Sequence, residues 1–229
     1  MKKLLLLILT LSLALSLCAC GEEEEPLYEG PAPLMEELDF SEVDPTACTE
    51  TDDVTEYVKI NVSYSDARGT HQTGDIIIRL FPTVAPKTVR NFQTLVKNGF
   101  YNGSSFHRVV PNFMIQGGAG NANSATVDPI EGEFTANGFT NNLLHERGVI
   151  SMARTSNPNS ATSQFFIMHK DKAQKSVDGK YASFGVVVSG MNVVDGIAST
   201  DLKYNIPMQE TSAPVNPVTI NYVTFVTVN

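Results

Sequence analysis

The stretch Phe106-His107-Arg108-Val109-Val110-Pro111-Asn112-Phe113-Met114-Ile115-Gln116-Gly117-Gly118 decides how this chain is read. Residues 106–116 are rich in aromatic and β-branched side chains and predict strand. Met114 and Gln116 fall on one face of a strand, whereas Phe113 has the opposite parity to Met114. Pro111 and Asn112 interrupt regular backbone just before that point. The following Gly117-Gly118-Ala119-Gly120 permits a sharp turn, and no lysine or helix follows it as a phosphate-binding loop requires. A second run, Ser163-Gln164-Phe165-Phe166-Ile167, again places a glutamine and an aromatic ring, Gln164 and Phe166, on one face. Together the two runs supply one arginine, two glutamines and several apolar groups, with no paired carboxylates and no activated nucleophile. That inventory suits recognition of an apolar group and polarisation of an amide rather than hydrolysis.

Outward from this stretch, alternation continues to predict strands. Val58, Ile60, Val62 and Tyr64 alternate with polar residues, and Asp66-Ala67-Arg68-Gly69 supplies turn chemistry. Residues 75–81 put Ile76, Ile78 and Leu80 on one face. Residues 149–152, 164–168, 184–188 and 218–228 complete the set. Pro86 is placed to open a helix whose apolar stripe is Val89, Phe92 and Val96, with Gly99 placed to end it. Residues 191–199 predict a second helix, with Val193, Val194 and Ile197 facing inward. Many strands and two helices predict a mostly β single domain, closed into a barrel.

The N-terminal quarter reads differently. Lys2 and Lys3 precede a run of apolar residues from Leu4 to Leu17, as in an export signal, and the run ends Leu17-Cys18-Ala19-Cys20-Gly21. This end resembles a bacterial lipobox, which implies that residues 1–19 are a lipoprotein signal peptide and that Cys20 carries lipid. Acyl chains bury about 0.8 kcal/mol per methylene, so such an anchor holds a membrane without a spanning helix. Residues 20–56 carry fourteen Asp or Glu and no Lys or Arg, including Glu22-Glu23-Glu24-Glu25, with Pro26, Pro31, Pro33 and Pro45. Charge repulsion and proline predict a disordered tether here. The net charge of −9 therefore belongs to this segment, because residues 57–229 hold fourteen basic and eleven acidic residues. A near-neutral domain has no concentrated basic face, which excludes a nucleic-acid binder. Cleavage and lipidation at Cys20 would leave Cys48 without an intramolecular partner.

With all of these segments in view, residues 106–118 resemble the central motif of the cyclophilins, the cyclosporin-binding class of peptidyl-prolyl isomerases. Ala85-Pro86-Lys87-Thr88-Val89-Arg90-Asn91-Phe92 resembles the family's first helix. Gly148-Val149-Ile150-Ser151-Met152-Ala153-Arg154 and the run from Ser163 to Ile167 resemble its further active-site strands. Asp178-Gly179-Lys180-Tyr181 followed by Phe184-Gly185 is similar to the loop and strand beyond. The resemblance spans residues 57–229 and implies an eight-stranded antiparallel closed β-barrel capped by two α-helices.

It also implies the chemistry. Isomerising an X–Pro bond must overcome an amide barrier of ~20 kcal/mol, and a cationic donor aimed at the prolyl nitrogen stabilises the twisted state selectively. By resemblance Arg108 has that role and Gln116 orients it. Phe113, Met114 and Phe166 then form a proline pocket, and Gln164 with the Ala153-Arg154 backbone holds the peptide. Val177 and Tyr181 stand where many eukaryotic members have leucine and histidine, Ser176 where they have a tryptophan, and Arg154 where they have asparagine. The chain has no tryptophan at all. His71, His107, His145 and His169 are widely separated and predict no metal site. No cofactor is expected. The expected partners are proline-containing peptides and unfolded exported proteins, met by an extracytoplasmic monomer anchored to the bacterial cell membrane. A different class of function, a scaffold or holdase that binds proline segments without turnover, uses the same fold; Arg108 together with Phe113 and Gln116 favours the enzyme.

Overall fold

The computed structural model describes residues 27–122, 124–171 and 174–229, without the side chains of residues 174 and 175. The expected signal peptide and Cys20 lie outside the described residues. Eleven strands occur among the described residues: β1 (Cys48–Thr51), β2 (Tyr57–Ser65), β3 (His71–Leu80), β4 (Phe106–Val110), β5 (Met114–Gly117), β6 (Val149–Met152), β7 (Phe165–Met168), β8 (Ser183–Ser189), β9 (Leu202–Asn205), β10 (Glu210–Pro214) and β11 (Thr219–Val228). The helices are α1 (Pro86–Lys97), a short α2 (Gln174–Val177) and α3 (Met191–Ala198).

Nine strands form one antiparallel sheet in the order β1-β11-β2-β3-β8-β6-β7-β5-β4, and β9 pairs only with β10. The predicted closed eight-stranded barrel is therefore corrected to a curled sheet with two edges. The reason lies in the register between β4 and β11. An antiparallel bridge, Ser105 to Thr219, joins the segment before β4 to the start of β11, with backbone bonds from Phe106 N–H to the Val218 carbonyl and from Gly103 N–H to the Ile220 carbonyl. Running on from that bridge, β4 would have to pair with residues 214–218, before β11 begins, where Pro214 and Pro217 have no N–H to offer. The far end of the same side of β11 takes β1, from Thr51 opposite Phe225 to Cys48 opposite Val228.

β1 belongs to the stretch read as a disordered tether, and the structure differs there. Val43 N–H bonds the Val188 carbonyl at 2.9 Å, and Asn142 Nδ2 donates to the Pro33 carbonyl at 3.1 Å. Asp39 pairs with Arg79, and the Phe40 ring meets Phe81 edge-on at 5.8 Å. Leu38, Val43 and Cys48 pack against the core. Composition spoke for repulsion, but Arg79 and Lys59 on the domain neutralise Asp39 and Glu50.

Inside the curl, alternate residues of each strand stack in register. Val109, Ile115, Ile167 and Ile150 lie opposite one another across β4, β5, β7 and β6, and all are fully buried. α1 covers one end. Its Phe92 ring touches Tyr101, Phe165 and Phe184 at centroid distances of 5.2, 5.6 and 5.2 Å. Ala85 at its N-cap has no side-chain acceptor, and Pro86 has no N–H to satisfy. Instead the buried carboxylate of Glu133 accepts the N–H groups of Lys87 at 2.9 Å and Thr88 at 2.8 Å, and the Thr88 hydroxyl at 2.7 Å. Gly99, at φ +64°, ends the helix in the left-handed conformation a glycine reaches without strain.

Candidate active site

The other face of the same strands carries the polar row. Arg108 lies opposite Gln116, Gln116 opposite Phe166, and Phe166 opposite Ser151. Residues opposite one another in antiparallel pairs share a face, so the arginine, the glutamine and the ring are brought together by register alone. The run read as one strand is in fact a hairpin, β4 and β5. Its turn is set by Pro111 and by Asn112 at φ +63°, with Phe113 N–H returning to the Val110 carbonyl at 3.0 Å. That is the arrangement of a type II turn. His169 pins it from β7's end: its ring Nδ1 accepts the Asn112 N–H at 3.0 Å, and its backbone N–H donates to the Phe113 carbonyl at 2.8 Å. Phe113 is thus a turn residue, free of strand parity, and its ring joins Met114 and Gln116. Gly118, at φ +78°, follows where a Cβ would stand 2.7 Å from the Phe165 ring, so only glycine fits.

The row opens into a cleft of about 300 Å³. Arg108, Phe113, Met114, Gln116, Ala153, Arg154, Phe166, Val177 and Tyr181 line it, as does Met208. Gln164 is reached through Gln116, whose Nε2 donates to Gln164 Oε1 at 3.0 Å. Gln116 Oε1 accepts from Arg108 Nη1 at 3.1 Å, giving a chain Arg108–Gln116–Gln164 along the rim. Met114 and Phe166 are buried, so the floor is apolar while the rim is cationic and amide-lined.

Three features of the site escape sequence reading. Glu210, on β10, pairs with Arg108: Nε donates to Oε1 at 2.5 Å and Nη2 to Oε2 at 3.2 Å. The hydrogen bond from Arg108 holds the Glu210 carboxyl below the usual carboxylate range. His145 stacks on Phe166 at 5.9 Å with its ring nearly parallel. Its Nδ1 lies 2.9 Å from Asp178 and its Nε2 3.1 Å from Ser151 Oγ. The trio has the residue types of a hydrolytic triad, but Ser151 is fully buried beside Phe166 and is not among the residues that line the cleft. Burial keeps the His145 imidazole below its ordinary pKa despite Asp178. Its work is to back the pocket floor. Finally, Arg154 lies between the rings of Tyr181 and Phe134, 4.6 and 4.9 Å from their centroids. Its Nε and Nη2 both donate to the Lys180 carbonyl, at 2.9 and 2.7 Å. Among the described residues no group of three His, Cys, Asp or Glu could hold a metal ion.

Comparison with known proteins agrees with this geometry. Residues 66–225 match the family model for cyclophilin-type peptidyl-prolyl cis-trans isomerase. A peptidyl-prolyl cis-trans isomerase of Acinetobacter baylyi is 47% identical over 147 residues, which is 59% of this chain and 76% of that protein. Peptidyl-prolyl cis-trans isomerase B of Escherichia coli is 46% identical over 133 residues, covering 54% and 78%. Among solved structures, a cyclophilin-type isomerase of Cryptosporidium parvum, crystallised in the presence of the dipeptide Ala-Pro, superposes with a TM-score of 0.59 at 25% identity, over 74% of this chain and 98% of that one. A mostly β curled sheet capped by helices, an arginine and glutamine at the rim of an apolar cleft, and a family match over most of the domain make this chain a member of the cyclophilin-type peptidyl-prolyl cis-trans isomerases.

Proposed function

We propose that the cleft takes an X–Pro segment with the proline ring on the Phe113, Met114 and Phe166 floor and the prolyl nitrogen beneath Arg108. The observation that carries this is a guanidinium at the edge of an apolar pocket, with a glutamine 3.1 Å from it and no serine, threonine, cysteine or lysine among the described residues that line the cleft. Twisting the peptide bond localises the nitrogen lone pair, which then accepts a hydrogen bond that the planar amide does not. A donor fixed beforehand stabilises that state more than the ground state, which is catalysis by differential binding. Gln116 holds Arg108 and, with Gln164, offers amide groups to the peptide backbone. No covalent step and no cofactor enter.

Exchange spectroscopy on a short X–Pro peptide, beside a binding isotherm, tests the assignment. Arg108→Ala should lower turnover ~10²–10³-fold, or roughly 3–4 kcal/mol, with affinity nearly kept. Phe113→Ala should weaken binding and turnover together, because ground and transition states both use its ring. Unchanged exchange in a folded Arg108→Ala protein refutes the role given to Arg108. Absence of exchange in the parent would leave a proline-binding scaffold instead.

The chain's setting is part of the same proposal. Lys2, Lys3 and the apolar run before Ala19-Cys20 support export and lipid attachment at Cys20, with the isomerase acting on exported proteins at the outer side of the bacterial cell membrane. Cys20→Ser should abolish lipid labelling and move the protein out of the detergent phase, whereas Cys18→Ser should leave both intact. Loss of labelling in Cys18→Ser alone would overturn the cleavage assignment.

A further inference from the structure

Arg108 divides its guanidinium between two partners. Five N–H groups are available on an arginine. Glu210 takes one from Nε and one from Nη2, Gln116 takes one from Nη1, and one N–H remains on each terminal nitrogen. A carboxylate facing the Nε and Nη2 edge with both oxygens fixes the plane of the guanidinium as well as its position, which a single contact does not. Gln116 alone would leave the group free to turn about its Nη1 bond.

The hairpin that delivers Glu210 is shaped for the purpose. β9 and β10 pair with each other, apart from the main sheet, and β10 lies against β4. Immediately before Glu210, Gln209 has φ +53°, a left-handed conformation that costs a non-glycine residue on the order of 1 kcal/mol. Immediately after it, the register slips between Thr211 and Ala213. A strained residue on one side and a bulge on the other re-aim the intervening side chain. Its neighbour Met208 lines the cleft.

We propose that Glu210 is a positioning residue for isomerisation: it clamps the Nε and Nη2 edge of Arg108 so that the two uncommitted N–H groups keep one orientation at the cleft rim. This rests on the role given to Arg108 above. The clamp acts through orientation, so its loss should appear in turnover and not in peptide affinity. Misplacing a catalytic group by about 1 Å is enough to cost ~10²-fold.

The test measures kcat and KM by exchange on an X–Pro peptide for Glu210→Ala and Glu210→Asp, each made in the parent and in Arg108→Ala. Glu210→Ala should lower kcat about ten- to a hundredfold with KM within about twofold. Glu210→Asp, which keeps the charge and both oxygens, should recover part of the loss and also guards against a hairpin that fails to form. In the Arg108→Ala background neither substitution should lower the residual rate further. An unchanged kcat, a rise in KM alone, or an equal loss with Arg108 already absent overturns the inference while leaving Arg108 in place. Parental turnover in Arg108→Ala overturns the reading of the site itself, and the clamp with it.

Discussion

Arg154 offers a sharp test of how the pocket wall is held. Its guanidinium lies between the Tyr181 and Phe134 rings and donates twice to the Lys180 carbonyl and once, at 2.8 Å, to the Thr155 carbonyl. Val177 and Tyr181, which line the cleft, flank the turn ending at Lys180. Arg154→Ala removes that brace. An exposed cation–π contact contributes about 0.5–1 kcal/mol. Adding the carbonyl bonds, discounted because the group is partly solvated, gives roughly 1–2 kcal/mol for holding Tyr181 and its turn in place. If peptide binds only the ordered wall, affinity should fall by about five- to thirtyfold. The core does not contain Arg154, so unfolding free energy should change by no more than the same 1–2 kcal/mol. Binding isotherms with an X–Pro peptide and urea denaturation measure the two quantities. Affinity kept within twofold would show that Tyr181 holds its position without the arginine, and the brace would be refuted.

Two further outcomes concern stability. Glu133→Ala leaves the Lys87 and Thr88 N–H groups and the Thr88 hydroxyl without their acceptor, which should destabilise by about 2–4 kcal/mol in urea titration; a change below about 1 kcal/mol would show that water replaces the carboxylate. His107, His145 and His169 all have pKa values lowered by burial, so the unfolded chain binds protons near pH 6.5 that the folded one does not. Stability should therefore be full well above pH 6.5 and fall as the pH drops, by up to about 1.4 kcal/mol per pH unit for each of His107 and His145 and by less for His169, which is more solvated and faces Asp195. Glu133, raised by burial, has the opposite sign, its ionisation costing stability as pH rises through its folded pKa, but it is one group against three. A urea midpoint that stays level from pH 8 to pH 5 would contradict the burial of these rings.

How much of this was legible in the sequence depends on what each residue has to satisfy. β2 and β11 alternate because one face meets the core, and β6 and β7 read as short apolar runs because both faces are covered. α1 was legible because Pro86 and Gly99 act locally. The cap at its start was not, because the acceptor is Glu133, 45 residues away from Thr88. β1 is four residues, Cys-Thr-Glu-Thr, with neither alternation nor apolar content, and its pairing is fixed by the far end of the chain. β9 and β10 are equally polar, so Glu210 was invisible as a site residue although Arg108 itself was evident from its neighbours. Phe113 came out of the family resemblance against strand parity, and the turn at Asn112 supplies the physical reason. The barrel failed for a related cause: periodicity tells which face is buried but not which strand stands at an edge.

The pairing of β1 with β11 also sets a length. Among the described residues the chain is bonded to the domain from Pro33, through Asn142, and stays on it through Val43 to Thr51. With lipid on Cys20, as proposed, the spacer between anchor and domain is then at most the run of about 13 residues before Pro33, not all of residues 20–56. At ~3.3–3.6 Å per extended residue its reach is at most about 45 Å, against roughly 120 Å for the whole acidic stretch. Such an enzyme would patrol a shell only about one domain diameter deep above the bilayer, and would meet clients as they emerge from the membrane rather than after they have diffused away.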